Sequence, residues 1–286
     1  MSPGKKFGVL LRREFWEFRS LWLSPAIGAA FLIVGAILGS LHLGNGVHIT
    51  VDARTPAVIG HAAGAQFLAA IAAFIGLFAA VAIAIYLLDC LYSERKDRSI
   101  LFWKSLPVSD LETVTSKLVI ALVVVPLLAI ALALVLLPLL MGIGALVVPE
   151  IRTHFGELIA GSLLALPRLL GMFIVVALWY APVATYLLLA SVLARHPPLI
   201  YAALPPVAIG LAESMFSGTH HFWEFIGQRL QPWLANGLSG ASSQDWTNVG
   251  STWWHALGDP ALWVGLAAAG VMLFAAIRLR RYRDDT

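Results

Sequence analysis

A dense run of charged and aromatic residues interrupts the apolar sequence between residues 88 and 109. The stretches that flank it, 71–88 and 119–148, carry no charge. Hydrocarbon cannot hydrate charge, so the run must lie outside the core of a bilayer. It is too short for a free domain, which indicates a docking element held against a membrane by two spanning helices. The alternative interpretation is a solvated cluster of positive charge.

Sequence motifs that carry catalysis are absent from the chain. There is no GxxxxGK[ST], HExxH, CxxC or GxSxG pattern, so the chain has no ATP-binding loop of its own. Carriers driven by protons or sodium keep ionisable residues at mid-membrane, and the predicted spans have none there. We therefore expect no enzyme activity and predict no catalytic, cofactor or metal site.

Histidine and cysteine are the remaining candidates for chemistry. Imidazole is a common metal ligand, but the histidine spacing matches no ligand pattern, so loop histidines are the simpler interpretation. Cys90 is the single cysteine, so it cannot form an internal disulfide. Seven of the eight histidines fall on the outer side of the predicted topology: His42, His48, His61, His154, His220, His221 and His255.

Composition indicates an integral membrane protein. The 286 residues are 59% hydrophobic and 12% charged, with a mean hydropathy of +0.84, whereas soluble domains are about 25% charged. We predict one transmembrane domain, 1–286, with an all-α fold of six spans. Their expected limits are about 25–43, 60–88, 119–148, 163–194, 198–213 and 260–277. The fifth span contains Pro205-Pro206, which predicts a break or kink.

The distribution of basic residues predicts the orientation. Of the 19 Lys and Arg residues, 15 fall on the side of the two termini and four on the other side. Cytoplasmic loops carry the excess of Lys and Arg, so both termini are expected in the cytoplasm. This asymmetry accounts for the isoelectric point near 9.2, and no nucleic-acid partner is expected.

Three segments outside the spans have their own patterns. Residues 4–22 place apolar side chains at i, i+3 and i+4, which predicts an amphipathic elbow helix on the membrane. Ser24-Pro25 then predicts the start of the first span. Ser109-x-x-Glu112 is a capping box that starts a helix running through Lys117 into the third span. Residues 214–259 are rich in Trp, which predicts short interfacial or re-entrant outer helices before the last span.

Gly35 and Gly39 form a GxxxG pattern in the first predicted span. Such a pattern marks a candidate for close contact between two helices in a membrane. It is also common by chance in apolar sequence.

The run from Tyr92 to Ser109 resembles the cytoplasmic loop of ABC-2-type transporter permeases. Glu94-Arg95 and Ser99 match an E-R-x-x-x-S stretch, and residues 105–109 match S-L-P-V-S. Lys117 then matches the lysine that enters the third span. The layout of an elbow helix, six spans and a long outer segment agrees with that family.

The resemblance implies that segment 89–118 is a coupling loop that docks on a separate ATP-binding subunit. ATP and Mg would be bound by that partner, with no cofactor on this chain. The implied contact residues are Glu94, Arg95, Lys96, Asp97, Arg98, Ser99, Phe102, Trp103, Lys104, Leu106 and Pro107. The elbow helix would lie nearby and contribute, by position only, Arg12, Arg13, Glu14 and Glu17.

The expected function is that of the permease subunit of an ATP-driven exporter in the bacterial inner membrane. A second permease chain, identical or related, would complete the path. The apolar and aromatic character of the spans suggests an amphipathic or lipid-like substrate. Two alternatives remain: a membrane-embedded enzyme, which would need a convergent polar site, and a channel or carrier, which would need a polar lining or intramembrane charge.

Overall fold

The computed structural model describes residues 3–43, 56–97, 109–227 and 257–282. All regular structure in those ranges is helical. A π-helical segment, Ile120–Val124, connects α4 to α5. The helices are α1 (Pro3–Glu17), α2 (Ser20–Leu43), α3 (Pro56–Lys96), α4 (Asp110–Val119), α5 (Val125–Val147), α6 (Pro149–Thr153), α7 (Phe155–Leu164), α8 (Leu166–Leu193), α9 (Pro198–Phe216) and α10 (Pro260–Tyr282).

Within the described residues, six helical stretches are long and apolar enough to cross a membrane. This confirms the predicted all-helical class and is compatible with six spans. The second and third extend past their predicted apolar limits, into the charged sequence on either side of 98–108. The stretches are Ser20–His42, His61–Lys96, Asp110–Val147, Leu166–Leu193, Pro198–Phe216 and Pro260–Tyr282.

The boundary between the elbow helix and the first span differs from the prediction. Helix α1 ends at Glu17 and α2 begins at Ser20, so Ser24-Pro25 lies inside α2 rather than at its start. The Ser24 hydroxyl donates to the carbonyl of Phe78 on α3 at 2.6 Å. Leu21 is fully buried. The apolar spacing over residues 4–22 extends from α1 into α2, so it did not mark the boundary between the two helices. Tertiary packing decided where the chain turns.

The two prolines of the fifth span do not break it. Helix α9 runs from Pro198 to Phe216 with Pro205 and Pro206 inside it, so the predicted break is wrong, while the alternative of a kink stays a prediction. Pro206 has no N–H to donate to the Ala202 carbonyl four residues back. The Tyr186 hydroxyl on α8 donates to that carbonyl instead, at 2.7 Å. A neighbouring side chain thus satisfies a backbone group that a membrane would leave without a partner.

The capping box is confirmed at the start of α4. The Ser109 hydroxyl accepts from the backbone N–H of Glu112 at 3.2 Å, and the Ser109 N–H donates to the Glu112 carboxylate at 2.8 Å. Helix α4 continues through the π-helical segment, where the N–H of Val125 donates to the carbonyl of Ile120. The helix that leads into the third predicted span therefore begins at the cap, as the sequence indicated.

The core lies between α2, α3, α5 and α8. Helices α3 and α7 cross closely, and the Ser162 hydroxyl donates to the Gly64 carbonyl there at 2.8 Å. A Cβ on Gly161 would lie 2.3 Å from the His61 carbonyl oxygen. By contrast, nothing lies within 4 Å of a Cβ built on Gly35. Among the described glycines, the close approach of two helices is therefore seen at Gly161 and not at Gly35.

Candidate functional site at the charged end of the bundle

Four charged side chains from four helices meet inside the protein, and we call them the ionic cluster: Glu14, Glu94, Lys117 and Arg280. All are at most 6% exposed. The Lys117 Nζ lies 2.8 Å from Glu14 Oε1 and 2.9 Å from Glu94 Oε1. The Arg280 Nη2 donates to Glu94 Oε2 at 3.0 Å. The charges alternate in sign from α1 through α4 and α3 to α10.

Helix geometry places each member of the ionic cluster. Glu14 follows Leu10 by one helical turn, and both side chains are buried on the same face of α1. Glu94 lies in the last turns of α3, Lys117 near the end of α4 and Arg280 near the end of α10. A buried charge is tolerated only with a charged partner and further hydrogen bonds. Burial of these four groups therefore requires all four helices together.

Aromatic and polar side chains surround the ionic cluster. The Tyr86 hydroxyl on α3 donates to Glu14 Oε2 at 2.9 Å. The ring of Phe18 packs edge-on against Tyr86, with centroids 4.8 Å apart, and lies 5.9 Å from the Lys117 Nζ. The Arg280 Nε lies 3.7 Å from Asp110 Oδ1. These contacts shield the cluster and extend it to the first residue of α4.

A second polar junction joins the end of α3 to the end of α8. The Ser191 hydroxyl oxygen accepts from the backbone N–H groups of Leu91 at 3.2 Å and Tyr92 at 3.1 Å. The Arg95 guanidinium donates to the carbonyls of Ser191 at 2.7 Å and Ala194 at 2.9 Å. A cation at the C-terminus of a helix satisfies carbonyls that lack helical partners. The end of α3 is thus held from two sides.

The structure places the predicted contact residues in different environments. Glu94 is buried in the ionic cluster, Arg95 is half-buried at the α8 junction, and Lys96 and Asp97 are exposed. The interpretation as a solvated charge cluster is therefore wrong for Glu94, because protein charges surround it. The remaining predicted contacts lie outside the described residues: Arg98, Ser99, Phe102, Trp103, Lys104, Leu106 and Pro107.

The predicted elbow residues also lie in different environments. Arg12 is exposed, and the Arg13 Nη2 pairs with the Glu17 carboxylate at 2.8 Å near the surface of α1. Glu14 faces inward and is 1% exposed. Elbow residue Glu14 and loop residue Glu94 are brought together by their shared contact with Lys117.

Sequence reasoning did not place Lys117 or Arg280 among the contact residues. Lys117 was matched only to the lysine that enters the third span, and Arg280 was counted only as a basic residue near the C-terminus. One signal was present in the sequence. Lys117 stands between the capping box and a charge-free apolar run, where a lone lysine needs a buried carboxylate partner. No comparable signal identified which carboxylate that would be.

The outer histidines do not converge in the part of the chain that the structure describes. No group of three or more His, Cys, Asp or Glu side chains there has the arrangement of a metal site. His154 pairs with Glu157 at 2.9 Å and His221 approaches Glu224 at 3.6 Å. His48 and His255 lie outside the described residues.

The outer segment is described only at its two ends. Residues 221–227 are helical, and the Glu213 carboxylate at the end of α9 accepts from the N–H groups of His221 at 2.9 Å and Phe222 at 2.8 Å. Trp223 packs against Gly210, where a Cβ would lie 2.4 Å from the indole nitrogen. The prediction for 228–256 falls outside the described residues.

In comparisons with known proteins, no family model, no curated protein and no solved structure matches the chain.

Proposed function

We propose that this chain is the membrane permease subunit of an ATP-driven exporter of the ABC-2 type. Six apolar helices, the loop pattern between Tyr92 and Ser109, and the absence of an ATP-binding motif support the proposal. A second permease chain would complete the translocation path, and separate cytosolic subunits would bind ATP and Mg. In this proposal both termini lie in the cytoplasm of a bacterial cell.

One observation carries the proposal: the described residues on both sides of segment 98–108 are anchored in the bundle. On one side, Glu94 pairs with Lys117 and Arg280, and Arg95 binds the end of α8. On the other side, Ser109 caps α4, which leads directly to Lys117. A force applied to 98–108 would therefore reach α3, α5, α8 and α10, because no flexible linker lies between the anchors and these helices.

The charged end suits such a role mechanically. An exposed docking element needs a rigid base if a partner's motion is to move spans rather than bend a loop. Buried ion pairs supply that rigidity because each partner, if separated, would be left charged in a low-dielectric interior. In the proposed cycle, closure of the ATPase subunits pushes on 98–108 and tilts the second and third spans.

The composition of the complex tests the proposal. The full chain, purified from its native membrane in mild detergent, should co-elute with a P-loop ATPase subunit identified by mass spectrometry. ATP hydrolysis should appear only in fractions that contain that subunit. Sustained hydrolysis by this chain alone, or purification of a transport-competent chain with no ATPase subunit, would overturn the proposal.

The aromatic pair Phe102 and Trp103 offers a sharper test. Both are bulky apolar residues between Arg98 and Lys104, and burying one large apolar side chain against a partner contributes roughly 1.5–3 kcal/mol. Phe102→Ala with Trp103→Ala should weaken ATPase-subunit binding about 10-fold or more, or uncouple hydrolysis from transport. Membrane insertion should be unchanged.

Trp246→Ala, on the outer segment, is the control for this test and should leave subunit assembly intact. The measurement is the amount of ATPase subunit recovered with each variant, together with hydrolysis in the presence and absence of transport. Unchanged recovery and coupling in the double variant would show that the two aromatics do not contact the partner.

A further inference from the structure

The ionic cluster joins parts of the chain that are far apart in sequence. Its members come from residues 14, 94, 117 and 280, one on each of four helices. Lys117 is the shared cation, since it contacts both carboxylates within 3 Å while it is itself 0% exposed. Arg280 reaches this pair through the second oxygen of Glu94. Helices α1 and α10 are thus connected through a single lysine.

The four members of the ionic cluster are balanced in charge, with two carboxylates and two cations. Their nearest charged neighbours add one charge of each sign, with Arg13 4.0 Å from Glu14 and Asp110 3.7 Å from Arg280. The hydrogen bonding of the ionic cluster is incomplete, however, because the buried Nη1 of Arg280 has no hydrogen-bond partner among the described residues. An unsatisfied buried donor costs free energy, and the cluster as a whole is a weak source of net stability compared with apolar packing. What it provides is a strong penalty for separating any one member from the others.

We propose that Lys117 is a positioning residue that clamps the elbow helix α1 and the end of α10 onto the base of segment 98–108. In this arrangement α1, α4 and the charged ends of α3 and α10 move as one unit. The clamp depends on charge balance rather than on the identity of each side chain. This inference rests only on the contacts within the ionic cluster, so its test does not depend on the proposed transport function.

Charge balance makes an unusual prediction about paired substitutions. Lys117→Met keeps the Glu94–Arg280 pair but removes the cation nearest to buried Glu14. The other cation near Glu14 among the described residues is Arg13, whose Nη1 lies 4.0 Å from Glu14 Oε1. This is the expensive case of a broken buried pair. Adding Glu14→Gln removes the surplus negative charge and leaves the Glu94–Arg280 pair intact. The double variant should therefore hold α1 more firmly than Lys117→Met alone, although it has lost more of the native contacts.

Hydrogen–deuterium exchange of the full chain in mild detergent measures this directly. In Lys117→Met the amides of α1 should exchange roughly 100-fold faster than in the native chain, reflecting loss of a buried pair. In Glu14→Gln with Lys117→Met much of this increase should disappear. Exchange in α7, which packs on the opposite end of α3, should be the same in all variants and serves as the internal reference.

Glu17→Gln is the matched control, because it makes the same chemical change in the same helix at a carboxylate whose side chain is 46% exposed. It should leave α1 exchange at the native rate. If Lys117→Met cannot be purified, recovery of the double variant under the same conditions supports the clamp. Equal or faster α1 exchange in the double variant, or failure to purify it while Glu14→Gln alone is stable, would overturn the proposal.

Discussion

Ser191 illustrates how one small side chain can join two long helices. Its hydroxyl oxygen accepts from the N–H groups of Leu91 and Tyr92, and its carbonyl accepts from Arg95. The residue is 0% exposed, so no water replaces a lost contact. The hydroxyl thus fixes the separation of α3 and α8 at the point where α3 emerges toward segment 98–108.

Ser191→Ala is expected to lower the free energy of unfolding by about 1 kcal/mol, because one buried acceptor is lost and the carbonyl contact with Arg95 remains. Denaturant unfolding in mild detergent measures the change. Ser214→Ala serves as the control, since its hydroxyl bonds only to the Leu211 carbonyl of its own helix. Equal stability of the two variants would show that the Ser191 hydroxyl is not a significant link.

The buried charges also join helices through contacts inside the protein, and losing one of these contacts costs more free energy than losing a neutral hydrogen bond. Glu14 and Glu17 lie one turn apart on α1, yet the first is 1% exposed and the second pairs with Arg13 at the surface. Surface pairs contribute about 0–1 kcal/mol, whereas removing one partner of a buried pair costs roughly 3–5 kcal/mol. The contribution of a carboxylate to stability therefore depends on whether it lies on the buried or the exposed face of the helix, even for residues one turn apart.

Helix α7 packs tightly against α3. The hydroxyl of Ser162 bonds to the Gly64 carbonyl, and Gly161 leaves no room for a side chain beside His61. Small residues at such crossings let backbones approach in membrane proteins. Helix α7 is only 10 residues long, so it depends on this contact for its position between the third and fourth spans.

Gly161→Ala should destabilise the protein by about 1–3 kcal/mol, because a new Cβ would overlap the α3 backbone and push the helices apart. Gly156→Ala, in the same helix but with nothing within 4 Å of its Cβ, should be neutral or slightly stabilising through helix propensity. Thermal unfolding of both variants in the same detergent provides the comparison. Similar melting temperatures would contradict the close crossing.

The charged ends of α3, α4 and α10 meet at one end of the bundle, while the short helices α6 and α7 lie at its other end in the described chain. The basic residues follow this division, with 15 of 19 Lys and Arg on the side of the termini in the proposed orientation. The transmembrane asymmetry of positive charge sets orientation during insertion. The proposal that the ATPase partner binds from the cytosol depends on this orientation.

Cysteine labelling with a membrane-impermeant maleimide checks the orientation. Asp97→Cys and Ser217→Cys place thiols at exposed positions beyond the ends of α3 and α9, and native Cys90 is fully buried and should not react. In intact spheroplasts only Ser217→Cys should label, and Asp97→Cys should label after permeabilisation. Labelling of both in intact spheroplasts would contradict the six-span arrangement.

The number, order and approximate limits of the long apolar helices in the described chain followed from sequence alone. The thickness of a bilayer sets the length of an uncharged apolar run, and a capping box acts within one helical turn, so both signals are local. For the same reason the start of α4 at Ser109 was predicted correctly. Local signals did not predict the start of α2 correctly, since the chain turns at residues 18–19 rather than at Ser24-Pro25.

Only the tertiary structure decided which charges belong together. In the sequence, the members of the ionic cluster look like ordinary charged residues that flank apolar runs. Neither their residue types nor their spacing reveals that they meet. Their pairing depends on four helices converging at one end of the bundle, with contacts that span more than 100 residues for the Lys117–Glu14 pair. A buried ion pair is a property of that convergence, because each charge tolerates burial only where another helix supplies its partner.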